Sequence, residues 1–474
     1  MDVCLVNPPS PFLLDDRVFP PLGLLQVAAA LEAEGHSVSV ADLSGLQAPL
    51  ADLTRVASQR WSAYGITATT PQFPVAIQML QVIREQDPGK RVIIGGPHPT
   101  VQPESCHMFD CVVRGDGEEA ILQAIEPNAP SLFDAASLTE KGELRWRWPA
   151  RHLIDMESYR YSLNGRPGTS AMWSQGCPYG CNFCCGRLIP YYRRVRTRNS
   201  DDVVREMEHL QAEYGVAAIT AFDDEVNLLN EPLLEVCRKL EPVGLQYRAF
   251  IKANLFTDVQ AEAMARAGFV EVCTGVESGS DRILGVMQKQ TSYAINLRAR
   301  LIARRHGLRF KAFCSIGHVG ETHVDAMRTR DWLLEARPDD FDVTVITVYP
   351  GTPIYANRES VSESSNGHRI CRYVHRSQRP EEDGATLFFE EVDYAKEFCW
   401  YKGKPNEYVS HVWTPDLSRE DLVRLRDAIE DEVRTTLGIP YPKRFSGDHL
   451  AEQGYEHSMG QGLSRQDSRV LWEV

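Results

Sequence analysis

Short apolar runs alternate with amphipathic stretches over the first 125 residues. The runs are Val3–Asn7, Ser37–Asp42, Ser62–Thr67, Arg91–Ile94 and Cys111–Arg114, each of strand length. Between the first two lies Leu22–Glu34, with apolar residues at helical spacing and Gly35 placed to end the helix. Phe73–Glu85, between the third and fourth, also reads as a helix. Strands alternating with helices predict a parallel, doubly wound sheet. Such sheets bind ligands outside the carboxyl ends of their strands. Glycine and proline gather at those ends: Asn7-Pro8-Pro9, Gly95-Gly96-Pro97 and Gly115-Asp116-Gly117.

The pattern lapses over 126–168. There Pro127, Pro130, Pro149, Trp146 and Trp148 indicate a loop-rich connector with room for a small hairpin. It resumes from about 169 to 355. Strands are predicted at Ser170–Ser174, Ala218–Phe222, Gln246–Ala253, Val270–Gly275, Arg309–Ile316 and Asp342–Tyr349. Helical stretches separate them, among them Asp201–Tyr214, Glu231–Leu240, Val259–Ala267 and Tyr293–His306. Six strand–helix units in a row predict a full or partial (β/α) barrel. The segment 356–474 is polar, with an exposed loop over Ser360–Asn366 and a basic cluster of Arg369, Arg372, His375, Arg376 and Arg379. A helix is predicted over Ser418–Leu437, with Ser418 as N-cap and Asp421 three residues on. Three segments follow: 1–150, 151–355 and a mostly helical 356–474.

The chain of 474 residues has room for two to four domains, and its 43% hydrophobic and 24% charged residues are ordinary globular composition. Lys and Arg number 51 against 65 Asp and Glu, a net charge of −14. That balance argues against a nucleic-acid-binding surface and against an anionic membrane. The N-terminus lacks a basic region and a long apolar core, and no run of 18 or more apolar residues occurs. A reducing cytoplasm is the expected compartment, where the 12 cysteines are thiols or metal ligands.

The sharpest feature is Gly176-Cys177-Pro178-Tyr179-Gly180-Cys181-Asn182-Phe183-Cys184-Cys185. Three thiols at C-x3-C-x2-C spacing follow the first barrel strand and read as iron–sulfur ligands. Three ligands leave one iron of a four-iron cluster open. The competing reading is a structural zinc with Cys185 as fourth ligand. Adjacent Cys184 and Cys185 are poorly placed to share one tetrahedral ion, and no second pair follows nearby. Cys185 is therefore read as a bystander, and the scattered cysteines as buried free thiols. A barrel presents its reactive residues at the carboxyl ends of its strands. Those positions hold Asp223-Asp224-Glu225, Asn254, Glu277-Ser278, His318 and Tyr349-Pro350-Gly351-Thr352-Pro353.

The cysteine motif, opening a run of strand–helix units, resembles the radical S-adenosylmethionine superfamily. The resemblance implies that Cys177, Cys181 and Cys184 hold a [4Fe–4S] cluster whose open iron binds S-adenosylmethionine. It implies S-adenosylmethionine contacts from Asp223, Asp224, Glu225, Asn254, Glu277 and Ser278. Asp223-Asp224-Glu225 stands where the superfamily often has Gly-Gly-Glu. His318 and Tyr349 are candidates for substrate contact.

The N-terminal segment resembles the Rossmann-like cobalamin-binding domain of one large subgroup. The resemblance rests on Pro20-Pro21-Leu22-Gly23-Leu24, Gly95-Gly96-Pro97-His98-Pro99-Thr100 and Gly115-Asp116-Gly117-Glu118-Glu119. It implies a cobalamin site built from Asn7, Pro8, Gly23, Thr67, Gly95, Gly96, Pro97, His98, Gly115 and Glu118. No Asp-x-His-x-x-Gly follows the first strand, so His98 is read as a pocket residue rather than a cobalt ligand. A Gly-x-Gly-x-x-Gly nicotinamide fingerprint is absent there too.

The domain order resembles cobalamin-dependent radical methyltransferases. It implies hydrogen abstraction from an unactivated carbon by a 5′-deoxyadenosyl radical, then methyl transfer from methylcobalamin. The partners implied are an electron donor such as flavodoxin or ferredoxin and a small-molecule substrate, anionic if the basic cluster grips it. Cobalamin would lie over the barrel mouth, with the 356–474 segment covering it. Alternatives are a cobalamin radical enzyme that rearranges, cyclises or oxidises without methylating, a tRNA methylthiotransferase, and a non-enzymatic cobalamin or metal carrier. The acidic balance and the spacing of Cys4, Cys106 and Cys111 disfavour the tRNA enzyme.

Overall fold

The computed structural model describes residues 1–10, 16–46, 48–135, 146–364, 367–397, 403–404 and 407–440. Two compact units emerge: Met1–Tyr161 with residues 393–397, and Ser162–Val392 with the described residues beyond 402.

In the first unit the elements run β1 (Asp2–Asn7), α1 (Leu22–Ala33), β2 (Ser37–Asp42), α2 (Pro49–Ala57), β3 (Ala63–Thr67) and α3 (Phe73–Gln86). They continue with β4 (Arg91–Gly95), α4 (Pro97–Val101), β5 (Cys111–Arg114), α5 (Gly117–Ala124) and β6 (Leu132–Asp134). The sheet order is β2-β1-β3-β4-β5-β6, all parallel. Alternation in β1 sets the two faces. Val3 and Leu5 join Leu24, Leu31, Ala120 and Ile121 of α1 and α5. Cys4 and Val6 join Leu53, Phe73 and Met79 of α2 and α3. Helices on both faces make the sheet doubly wound, as its alternating runs predict. The order reverses between β1 and β3, the switch point where such folds bind ligands.

In the second unit a hairpin opens the sheet. Asn164 and Gly165 take φ of +52° and +75° between β7 (Ser162–Leu163) and β8 (Arg166–Ala171), the left-handed pair that a two-residue hairpin turn needs. The first barrel strand thus lies four residues earlier than the apolar pattern suggests. A two-stranded ribbon of β9 (Ser174–Gln175) and β10 (Arg196–Thr197) brackets the cysteine loop.

Next come α6 (Ser200–Tyr214), β11 (Ala218–Ala221), α7 (Asn230–Leu240), β12 (Gln246–Phe250), α8 (Asp258–Ala267) and β13 (Phe269–Glu277). They lead to α9 (Asp281–Val286), α10 (Tyr293–Arg305), β14 (Arg309–Ile316), α11 (His323–Ala336), β15 (Asp340–Val345) and α12 (Pro353–Ala356). Sheet order is β15-β14-β13-β12-β11-β8-β7, so six parallel strands follow chain order, the partial (β/α)6 barrel expected.

Beyond the barrel stands an antiparallel sheet in the order β16-β17-β18-β21. Its strands are β16 (Glu359–Glu363), β17 (Arg369–Val374), β18 (Thr386–Glu391) and β21 (Val412–Trp413). A small ribbon, β19 (Gly403–Lys404) with β20 (Glu407–Tyr408), precedes β21, and α13 (Arg419–Leu437) follows it. The segment is thus mixed rather than mostly helical. Every residue of β16 is exposed, so no alternation marks it as a strand. The expected exposed loop is largely this edge strand. Helix α13 has its expected capping box, with Ser418 Oγ and Asp421 bonded reciprocally.

Strand β15 is an edge of the barrel sheet, and its outer side is filled by side chains from the C-terminal segment. Val343 N–H donates to Glu430 Oε1 at 2.9 Å, and Val345 N–H donates to Tyr408 Oη at 3.1 Å. Arg434 donates to the Phe341 carbonyl at 2.5 Å. Beneath them Lys311, Asp340, Asp342, Glu430 and Arg434 form a buried charge network.

Candidate functional site

The cysteine loop is fixed on several sides before any cofactor is considered. Gly176 has φ +93°, and a Cβ there would lie 2.1 Å from the Arg194 carbonyl oxygen, so only glycine fits. Asp224 accepts the Gly176 N–H at 2.7 Å. Asp223 accepts the Trp173 N–H at 2.8 Å and the Ser174 hydroxyl at 2.5 Å. Asn182 bonds Met287 O at 3.0 Å through its backbone and Val286 O at 2.7 Å through its side chain. Phe183, the aromatic before the last cysteine, packs on Ile283, Leu284 and Met287. Arg187 donates to the Cys177 and Pro178 carbonyls at 2.7 and 3.2 Å. Cys181 is buried, Cys177 half-buried and Cys184 exposed.

The barrel mouth beside the loop is a linked charge network. Lys289 Nζ lies 3.0 Å from Glu277 Oε1, and Ser315 Oγ donates to Glu277 Oε2 at 2.9 Å. Ser315 Oγ is also 2.7 Å from His318 Nε2. Lys252 Nζ sits 4.2 Å from the centre of the Tyr179 ring, bonds Lys289 O at 3.3 Å and lies 3.9 Å from Glu225. Strained backbone accompanies this network: Glu277, Gln288 and Gln290 have φ of +64°, +56° and +57°. Such strain persists only where surrounding structure enforces it. Gly275 leaves the space the pair occupies, since a Cβ there would lie 2.3 Å from Glu277 Oε1. Burial pushes Glu277 up, but the Lys289 ammonium and the Ser315 hydroxyl outweigh it and hold the carboxyl below its ordinary value. Burial pushes His318 down to about 3, leaving a neutral imidazole. Behind it Glu321 accepts the Gly317 and His318 N–H groups, and burial raises its carboxyl to about 8.

These observations sort the expected contacts. Glu225, Asn254 and Glu277 stand at successive strand ends around the mouth. Asp223 is buried and spent on the backbone entering the cysteine loop, and Asp224 holds Gly176. Ser278 is fully buried and bonds Ser280 N and Thr329 Oγ1. Asp223 and Ser278 are therefore positioning groups rather than ligand contacts: the turns that carry them consume their oxygens. Tyr349 closes the turn into α12 by accepting Thr352 at 2.8 Å with its carbonyl. The basic cluster is already partly neutralised, with Arg369 on Glu391, Arg372 on Glu359 and Arg379 on Glu382. Lys252, Lys289 and Ser315 escaped the sequence reading. Lys252, a lysine ending an apolar strand run, carried a usable signal; Lys289, after a short helix, carried none.

In the first unit, Asn7, Pro8, Thr67, Gly95, Gly96, Pro97 and Gly115 lie at the carboxyl ends of β1, β3, β4 and β5, with Gly23 and Glu118 in the first turns of α1 and α5. Asn7 Nδ2 donates to Asp42 at 2.8 Å, and Pro8 O accepts Gln72 at 2.7 Å. Gly96 has φ +101°, and a Cβ there would press to 2.8 Å from Thr67 Oγ1. Glycine backbone thus lies at the carboxyl ends of β4 and β5, with Gly96 packed against the end of β3. His98 does not belong to that set. It is fully buried, stacked on Phe73 at 4.0 Å and bonded to Ser105 at 2.9 Å. Its place is the core of the unit.

The donor set fits an iron–sulfur cluster with S-adenosylmethionine. Among the described residues no three His, Cys, Asp or Glu side chains converge on a single ion. Three buried polar atoms at the mouth have no partner: Glu225 Oε2, Asn254 Oδ1 and His318 Nδ1. Two are acceptors suited to an ammonium group.

A trio of cysteines beside the mouth of a partial barrel, with unsatisfied polar groups close by, is the arrangement expected of a radical S-adenosylmethionine site. Comparison with known proteins agrees. The family described as "Radical SAM superfamily" matches residues 172–333, and "B12 binding domain" matches residues 16–125. An uncharacterized methyltransferase of Pyrococcus horikoshii is 28% identical over 381 residues, covering 75% of this chain and 82% of that protein. An anaerobic magnesium-protoporphyrin IX monomethyl ester cyclase of Cereibacter sphaeroides is 26% identical over 318 residues, covering 61% and 52%. The fold is similar to that of the radical S-adenosylmethionine methyltransferase TsrM from Kitasatospora setae, solved with cobalamin and a [4Fe–4S] cluster. That match has a TM-score of 0.62 and 19% identity, covering 75% of this chain and 77% of that one. The chain thus carries a radical S-adenosylmethionine domain with a B12-binding domain ahead of it. Its cofactors are a [4Fe–4S] cluster, S-adenosylmethionine and cobalamin. Among the described residues no helix is long and apolar enough to cross a membrane.

Proposed function

We propose that this enzyme methylates an unactivated carbon of a small, natural-product-like molecule, with cobalamin as the methyl carrier. The carrying observation is the joining of a B12-binding and a radical domain on one chain. The Pyrococcus relative, named a methyltransferase, supports it by aligning over most of both chains. When bound, the cluster and S-adenosylmethionine supply a hydrogen-abstracting organic radical, and cobalamin supplies a transferable methyl group.

The chain's own residues bind, orient and shield. Cys177, Cys181 and Cys184 hold the cluster. Glu225 and Asn254 offer acceptors to the amino group of S-adenosylmethionine. Glu277 stays anionic because Lys289 and Ser315 hold it, so it presents a fixed negative charge at the mouth. Asp223 and Asp224 keep the cysteine loop in register. Backbone at Gly95, Gly96 and Gly115 receives the corrin. His318, neutral and buried, and Tyr349 are the candidate substrate contacts. The C-terminal sheet meets the rim through Gly320 N–H on Thr386 O at 2.9 Å and Thr414 Oγ1 on Glu321 O at 2.8 Å, which supports a role in enclosing substrate.

Similarity to the cyclase favours a second reading, a radical rearrangement or cyclisation without methyl transfer. Anaerobically reconstituted protein, given cobalamin and methyl-labelled S-adenosylmethionine, separates the two. Label in a carbon-methylated product supports the proposal. Deoxyadenosine formation with product that never carries label refutes it in favour of the second reading. Alanine at Cys177, Cys181 or Cys184 should abolish cleavage, while Cys185→Ala should keep it.

A further inference from the structure

The chain carries a net charge of −14, yet residues 186–198 hold five arginines and no acidic residue. Arg198 is neutralised by Asp202 and Glu206 on α6. Arg187 is buried and spends its guanidinium on the cysteine-loop carbonyls. Arg193 and Arg194 are exposed. Arg193 reaches the Pro178 carbonyl at 3.2 Å, one residue from Cys177, and the Arg194 carbonyl sits against Gly176. Leu188 in the same segment is 49% exposed, one of few large apolar side chains left open to water. The result is an exposed leucine with two exposed arginines, on backbone packed directly against the cluster loop.

We propose that Leu188, Arg193 and Arg194 form the docking face for an acidic one-electron donor protein of the flavodoxin or ferredoxin kind. The inference rests on the radical S-adenosylmethionine assignment, since such an enzyme consumes one electron per cleavage. The donor is oxidised by one electron and the cluster is reduced by one; no atom is transferred. Charge supports this occupant. A negative partner is repelled by most of an acidic molecule and attracted here, so basic charge at this spot steers it to the cluster. Leu188 supplies an apolar contact and the arginines supply the charge. The electron's path is short, because Arg193 holds the carbonyl of the residue after Cys177.

The test uses reconstituted full-length enzyme with two reductants, reduced flavodoxin and dithionite. Dithionite is small and needs no docking face. Arg194→Glu combined with Leu188→Asp should slow flavodoxin-supported cleavage about ten-fold and weaken flavodoxin binding, measured by titration calorimetry on unreduced protein, by a similar factor. Dithionite-supported cleavage and iron content should not change. Arg194→Gln alone should give a smaller loss and a flatter dependence on salt. Arg304→Glu, the same charge reversal at the exposed C-terminal end of α10, should leave both assays at the parent value. Equal loss with both reductants, no loss with either, or an equal loss from Arg304→Glu would each overturn the proposal. The first would assign the arginines to substrate or to the cysteine loop itself.

Discussion

Replacing Lys289 with methionine removes one charge and keeps most of the side chain's length. Glu277 keeps the Ser315 hydroxyl at 2.9 Å and loses the ammonium at 3.0 Å. Breaking a buried ion pair from one side costs about 3–5 kcal/mol, because the other charge stays behind. The Glu277 side chain is 15% exposed and retains its hydroxyl donor, so the loss should fall near the lower end, about 3 kcal/mol.

The pH dependence separates charge from packing. In the parent protein the folded carboxyl lies below its unfolded value. It therefore contributes stability that is present above the unfolded value, about 4.3, and lost as pH falls through the folded one. Without Lys289, burial dominates and the folded value rises above the unfolded one. The variant's deficit should be largest near neutral pH and shrink towards about pH 4.5. Urea unfolding of metal-free protein at the two pH values reads this directly. Adding Glu277→Gln should recover at least half of the loss, since a neutral pair leaves no orphaned charge. A double variant no more stable than Lys289→Met, or a deficit equal at both pH values, would refute the electrostatic reasoning and assign the effect to packing.

Gly176→Ala forces a side chain into left-handed backbone, at about 1–2 kcal/mol, and into the Arg194 carbonyl, 2.1 Å away. Iron bound after reconstitution should fall several-fold, and unchanged iron content would contradict the claim that only glycine fits. Gly96→Ala, with φ +101° and Thr67 Oγ1 2.8 Å from the new carbon, should reduce cobalamin retained after gel filtration while leaving iron content intact. Glu321 has a folded value of about 8. A raised acid costs stability once pH exceeds its unfolded value, and the cost grows until the folded value is reached. Glu321→Gln should therefore gain on the parent between about pH 5 and 8 in urea midpoint; parallel curves would show that the buried carboxyl does not titrate as argued.

Much of the fold was legible because burial writes itself into periodicity. In the first unit β2 and β5 match their apolar runs, and in the barrel β14 does. The cysteine trio was legible because its spacing is rare. What escaped was of two kinds. Strand β16 has no buried residue, so nothing in its pattern distinguishes it from a loop. Lys289 and Ser315 owe their roles to one charge, Glu277, held in place by backbone strain at the end of β13, and no local pattern reports that. His98 erred in the other direction. A histidine beside paired glycines looked like a pocket residue, but the first turn of α4 carries it inward onto Phe73.

The filled edge of β15 bears on synthesis as well as on stability. About ninety residues separate Val345 from Arg434, the farthest of the three side chains that satisfy that edge. At roughly 5–20 residues per second, translation needs about 4–18 s to cover them. During that interval the six barrel strands exist without their last hydrogen-bond partners. An open strand edge is a template for another chain. The nascent enzyme is therefore most exposed to mispairing after its cysteine motif has been made and before α13 arrives. Chains cut short in that window should aggregate rather than persist as a smaller soluble barrel.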